Sequence, residues 1–116
     1  MNISKEEIYE PVSALLRVLG HPTRIWILEE IGRGEVCVCH LVAKLGIRQA
    51  YLSQQLMTLR MESILNTHRE GRFIYFRIAD KKVLGLIAAA VVLKGVAIVT
   101  DTAENTSYDC PKCSGE

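Results

Sequence analysis

Apolar residues along this chain recur first at helical spacing, then alternate, then run almost unbroken. Ile8, Val12, Leu15, Leu16 and Leu19 share one helix face behind Ser4-Lys5-Glu6-Glu7, which has the form of a capping box with Ser4 as N-cap. Pro11 lacks the N–H that a helix interior uses, so it marks either the true start of this helix or a kink in it. Gly20 ends the segment. His21-Pro22-Thr23-Arg24 restarts a helix, with Pro22 in the first turn, where its missing donor costs nothing. Ile25, Trp26, Leu28 and Ile31 are its expected core residues, and Gly32-Arg33-Gly34 breaks it.

Val36-Cys37-Val38 is β-branched at both ends and favours an extended turn. A short helix from Cys39 or His40 to Leu45 follows, ended by Gly46. The next helix runs from Arg48 to about Met61, its buried side formed by Leu52, Leu56 and Leu59. Ile64–His68 and Phe73–Ile78 read as two strands joined by the turn Arg69-Glu70-Gly71-Arg72. Asp80 is a candidate N-cap for a last helix from Lys81 to about Val99. Residues 83–93 carry no charge and are apolar almost all round. Lys94 stops that run short of the ~20 residues a bilayer span needs, so burial between two subunits accounts for it better than a membrane does. The expected organisation is one domain over residues 1–100 and a flexible cysteine-containing tail over 101–116.

Composition sharpens this reading. A chain of 116 residues with 49% apolar content suits one domain with a modest core, which a second subunit would help to cover. Met1 to Glu10 is polar and acidic rather than a signal segment, so the expected location is the cytoplasm. There, four cysteines serve as ligands or redox groups more readily than as structural disulfides. The net charge of +1 is uninformative, but its distribution is not. Residues 36–82 carry a balance of +5 and the remainder −4, which fits a footprint on phosphate as well as it fits a solvated surface. An enzyme is disfavoured: no nucleophile–base pair, phosphate loop or Ser/His/Asp set stands out, and Gly32-Arg33-Gly34 is too short to cradle a phosphate.

Helix, helix, helix–turn–helix, two-stranded hairpin, helix is the order of a winged helix-turn-helix, a mainly α (α+β) fold with a β-hairpin wing. Its residues resemble the ArsR/SmtB family of metal-responsive repressors. The matching pieces are Leu19-Gly20-His21-Pro22-Thr23-Arg24, Glu35-Val36-Cys37-Val38-Cys39, Ser53-Gln54-Gln55-Leu56 with Leu59-Arg60, and the wing Arg69-Glu70-Gly71-Arg72. The likeness covers about residues 12–82. It implies a homodimeric cytoplasmic repressor that leaves double-stranded operator DNA when a metal ion binds. Dimerisation in the family uses the first and last helices, which suits the apolar run 83–93.

On the predicted reading helix, Ala50, Ser53, Gln54 and Met57 lie opposite the leucine stripe, with Gln49 and Tyr51 on its flanks. Gln can bond adenine bidentately, Ser can donate or accept, and Ala can touch a thymine methyl. Arg48 suits phosphate or guanine, and Arg69 and Arg72 suit phosphate or the minor groove. Gln55 and Tyr51 depart from the family's usual residues, His and a smaller side chain, which leaves the operator sequence open. The expected DNA-binding set is Arg48, Gln49, Ala50, Tyr51, Ser53, Gln54, Gln55, Arg69 and Arg72.

Cys37-Val38-Cys39 and Cys110-Pro111-Lys112-Cys113 form a two-plus-two thiol set. Soft thiolates select soft ions such as Cd²⁺, Pb²⁺, Zn²⁺, Cu⁺ or trivalent arsenic. In a regular helix, side chains two residues apart diverge by about 200° and cannot share an ion. Both sulfurs can bind together only if 36–39 is non-helical or the first helical turn is distorted. A helix N-terminus beside them would favour the thiolate. The family's arsenic branch has a third cysteine where this chain has Val42, and its cadmium/lead branch completes the pair from a flexible terminal arm. The family's last-helix zinc site needs His, and none follows Asp80.

The expected metal site is therefore Cys37, Cys39, Cys110 and Cys113, closed within or across subunits. Cd²⁺ or Zn²⁺ would use all four sulfurs, and trivalent arsenic any three. Against this stand a redox role through reversible disulfides, a buried apolar role for Cys37/Cys39, and an idle or separate tail pair. His40 is either a ligand or a capping or surface residue, His21 is structural, and His68 is exposed.

Overall fold

The computed structural model describes residues 4–96. Five helices and a small sheet follow in the order α1 (Lys5–Leu19), α2 (Pro22–Ile31), β1 (Glu35–Cys37), α3 (Val38–Leu45), α4 (Gln49–Met61), β2 (Leu65–Glu70), β3 (Phe73–Ile78) and α5 (Lys82–Lys94). Ser4 caps α1 by accepting a hydrogen bond from the Glu7 N–H, the Ser half of a capping box. Pro11 lies inside α1, and the helix runs through it from Lys5, so it does not mark the start. His21 caps α2: its Nδ1 accepts from the Thr23 N–H at 3.2 Å, with Pro22 at the first helical position.

The core joins Leu19 of α1, Ile27, Leu28 and Ile31 of α2, Leu41 and Leu45 of α3, and Leu52, Leu56 and Leu59 of α4 to Phe76, Ile78 and Ile87. Trp26, expected in the core, is exposed, and Ile27 takes that place. One residue along a helix is a turn of about 100°, and the stripe 27/28/31 faces inward while position 26 faces out. Gly46 closes α3 in the left-handed conformation (φ +65°), which a residue without Cβ adopts at no steric cost. That sharp exit sets the angle between α3 and α4.

The sheet has three strands, not two, in the order β1-β3-β2, all antiparallel. Alternation sorts its faces. Val36, Phe76, Ile78 and Leu65 enter the core. Cys37 and Tyr75, paired across β1 and β3, are buried on the other face in a second, smaller cluster with Cys39 and Phe73. The wing turn is tighter than expected: Glu70 pairs with Phe73, leaving only Gly71 and Arg72 in the loop.

The last helix also ends earlier than the expected Val99. Gly95 is left-handed (φ +69°), its N–H bonds back into the final turn, and the Val96 N–H reaches Val91 O, which together close a helix of 13 residues. Asp80 Oδ1 accepts from the Lys82 N–H at the helix start. Among the described residues, no helix is long and apolar enough to cross a membrane.

Candidate functional site

Helix α4 rests on the core through Leu52, Leu56 and Leu59 and turns its other side outward. Arg48, at its N-cap, and Gln49, Ala50, Tyr51, Ser53, Gln54 and Met57 are all exposed. Arg69 and Arg72 are exposed on the wing, with the Arg72 guanidinium 5.3 Å from the centre of the Phe73 ring. Eight of the nine expected DNA-binding residues therefore lie on open surface of α4, at its N-cap and on the wing. Tyr51 leans toward α2, its hydroxyl 3.4 Å from His21 Nε2.

Gln55 differs. It is 9% exposed, and its Oε1 accepts from Arg24 Nε at 2.8 Å, while Arg24 also donates to Val18 O at 3.1 Å. One guanidinium thus ties α4 to α2 and to the end of α1. Its position between Leu52, Leu56 and Leu59 draws Gln55 inward, and its Oε1 is engaged in this tie. Sequence reasoning missed Arg24 because the signal is a contact 31 residues distant. Gln55→Ala is expected to lower stability by about 1–3 kcal/mol, because it strips a partner from a part-buried charge. Operator sequence preference should be unchanged. Denaturant unfolding and binding to a set of base-substituted operators measure the two effects, and a change of preference with stability intact would return Gln55 to the reading face.

The thiol pair sits where β1 becomes α3. Cys37 is extended (φ −92°, ψ 168°) at the N-cap of α3, and Cys39 is in the first turn. The change from strand to helix between them defeats the divergence of a regular helix, and the two sulfurs are in contact, joined as a disulfide, with Cα atoms 5.4 Å apart. Helix α3 packs directly on α4, so the pair is one element from the exposed face of α4 expected to meet DNA. His40 is engaged elsewhere, with Nε2 3.1 Å from Glu30 Oε1 on α2. Cys110 and Cys113, and the tail expected over 101–116, lie outside the described residues.

His68 is exposed, as expected, but it is not without neighbours. Its ring stacks on Tyr75 at 5.3 Å, and its Nδ1 and Nε2 lie 3.0 and 3.6 Å from carboxylate oxygens of Glu35 and Glu70. The sequence holds no pattern for this group, since Glu35 is 33 residues from His68 in the chain and arrives through β1, the strand that the sequence reading lacked.

Comparison with known proteins fits this architecture. Residues 21–67 match the model of the bacterial regulatory protein, arsR family. The chain is 45% identical over 78 residues to the biofilm growth-associated repressor of Agrobacterium fabrum, covering 67% of each sequence. It is 33% identical over 89 residues to the HTH-type transcriptional repressor SmtB of Mycobacterium tuberculosis, covering 77% of this chain and 66% of that one. The structure of NolR from Sinorhizobium fredii superposes with a TM-score of 0.71 at 29% identity, covering 84% of this chain and 99% of that one. The two sequence relatives are named as repressors, not as enzymes. With the reading helix, the wing and the core beneath them in the same arrangement, the chain belongs to the ArsR/SmtB family of winged helix-turn-helix transcriptional regulators.

Proposed function

We propose that this protein is a homodimeric repressor, acting in the cytoplasm, that leaves operator DNA when Cys37 and Cys39 capture a soft metal or metalloid ion. The observation that carries this reading is the meeting of the two sulfurs at the start of α3. Once reduced, the pair is a ready chelate whose bonds pull on the first turn of a helix packed against α4. Cd²⁺, Pb²⁺, Zn²⁺ and trivalent arsenic fit two thiolates, with Cys110 and Cys113 completing the set. DNA contact falls to Arg48, Gln49, Ala50, Tyr51, Ser53 and Gln54 on α4 and to Arg69 and Arg72 on the wing, with Gln55 positioning the helix from beneath.

Dimerisation has support in the uncovered apolar surface of α1 and α5. Ile8, Val12 and Leu16 are exposed along α1, and Val92 and Leu93 are 79% and 86% exposed on α5. An apolar groove lined by Leu16, Leu19, Ile25, Ile87 and Val91 lies between these helices. Monomeric proteins seldom leave that much contiguous apolar surface in water.

A second reading is favoured by one observation, the Cys37–Cys39 bond itself. In it two thiols give up two electrons and two protons to an oxidant such as hydrogen peroxide, which becomes water, and the disulfide is the signal. Operator binding across ions and oxidants separates the two. The sensor reading expects reduced protein to take up Cd²⁺ with a sulfur-to-metal absorption band, to lose that band in Cys37→Ser, and to release DNA. Protein with the Cys37–Cys39 pair oxidised should bind Cd²⁺ far more weakly and keep its DNA when metal is added, because the ligand is the thiolate. Undiminished operator affinity at saturating metal, with peroxide alone releasing DNA, selects the redox reading. A Cys110→Ser/Cys113→Ser protein that holds Cd²⁺ as tightly as the parent removes the tail from the site.

A further inference from the structure

The geometry points to a second cation site on this chain, separate from the thiols, in which His68, Glu35 and Glu70 bind a divalent ion of the zinc type. The three residues come from two strands that do not touch. Glu35 is on β1 and His68 and Glu70 are on β2, with β3 between them. Alternation turns all three to the face away from the core, where Glu35 Oε2 reaches across β3 to within 3.0 Å of His68 Nδ1, and Glu70 Oε2 lies 3.6 Å from Nε2. One ligand atom from each residue can be chosen so that all lie within 4.8 Å of one another.

Bonds of about 2.0–2.2 Å in a tetrahedron hold ligand atoms roughly 3.3–3.6 Å apart, so one ring nitrogen of His68 would take the ion and the carboxylate now beside the other nitrogen would swing toward it by about 1 Å or more. One imidazole nitrogen and two carboxylate oxygens make a borderline donor set, suited to Zn²⁺ or Co²⁺ rather than to the soft ions that thiolates prefer. The His68 side chain is 40% exposed, which leaves an entry path and room for water in the remaining position. Beneath it, Tyr75 stacks on the imidazole and fixes the ring plane.

The position gives the site a consequence. Cys37, Tyr75 and His68 form one transverse row across the three strands. Glu35 lies two residues before Cys37 on the strand that leads into α3. An ion held by Glu35 and His68 would fasten β1 to the wing strand β2 across β3. It would brace the base of the wing against the same junction that carries the thiols, without a sulfur ligand.

The test uses the full chain with all four cysteines replaced by serine, titrated with Co²⁺ after reduction is no longer a variable. About one Co²⁺ per chain should bind, giving weak visible bands without sulfur charge transfer. His68→Gln or Glu70→Gln should weaken it roughly tenfold or more, with far-UV circular dichroism unchanged. In the parent chain, Zn²⁺ should shift the ring resonances of His68 in NMR spectra, a readout that survives if the serine variant folds poorly. Failure of the serine variant to bind Co²⁺ while folded overturns the site. So does equal affinity in His68→Gln, or His68 resonances that do not move with Zn²⁺. Loss of the thiolate absorption band leaves these outcomes untouched, so the two sites fail independently.

Discussion

Leu52→Ala is expected to cost about 2–5 kcal/mol of folding stability. Leu52 is fully buried at the first inward turn of α4, in the cluster that also holds Leu56 and Leu59. Truncation removes its transfer free energy and leaves a cavity that neighbours on α2 and α3 can fill only in part. For a domain near this size the loss corresponds to a fall in Tm on the order of 10–20 °C. Met57→Ala, on the exposed side of the same helix, should stay within about 0.5 kcal/mol of the parent. Thermal unfolding of the two variants measures the contrast. If Leu52→Ala lost under about 1 kcal/mol, α4 would not be seated by this face, and the assignment of its opposite face to DNA would go with it.

The second large effect concerns that opposite face. Gln54→Ala is expected to weaken operator binding by roughly tenfold to a hundredfold, about 1–3 kcal/mol, while binding to unrelated duplex changes little. A carboxamide on open helix surface is suited to a base edge and carries no net charge, so its loss is felt where sequence is read. Arg72→Ala should behave in the reverse manner. It should weaken operator and unrelated DNA alike and lower the slope of affinity against salt by about one, because the wing charge meets phosphate wherever it lands. Fluorescence anisotropy over a salt series, on both duplexes, records all of these quantities. Equal losses for Gln54→Ala on the two duplexes would show that α4 supplies contact without reading.

The helices and the wing were legible in the sequence because each rests on short-range periodicity. The capping box at Ser4, the His21-Pro22 start, Gly46 and the leucine stripe of α4 all act within one or two turns of chain, and all are found where expected. Strand β1 was not legible. Three residues are too few to show alternation, and Glu35–Cys37 becomes a strand only because β3 offers it a partner. The end of α5 was misjudged for a related reason: Ala97 to Val99 continue an apolar run, yet Gly95 turns left-handed and closes the helix first. Gln55 shows the limit most directly. Its polarity suggested DNA, while the fold buries it beside leucines and sets its Oε1 on Arg24 of α2, a contact no local pattern shows.

By itself the sequence determined the order of the helices and the wing hairpin, the family likeness and the presence of two closely spaced thiols ahead of α4, since each is written in neighbouring residues. The tertiary structure alone decided which groups meet. It brought Cys37 and Cys39 sulfur to sulfur by breaking strand into helix between them. It set Glu35 beside His68 by laying β1 and β2 on either side of β3. Contacts between residues distant in the chain depend on sheet order and register, and no local pattern of amino acids encodes these.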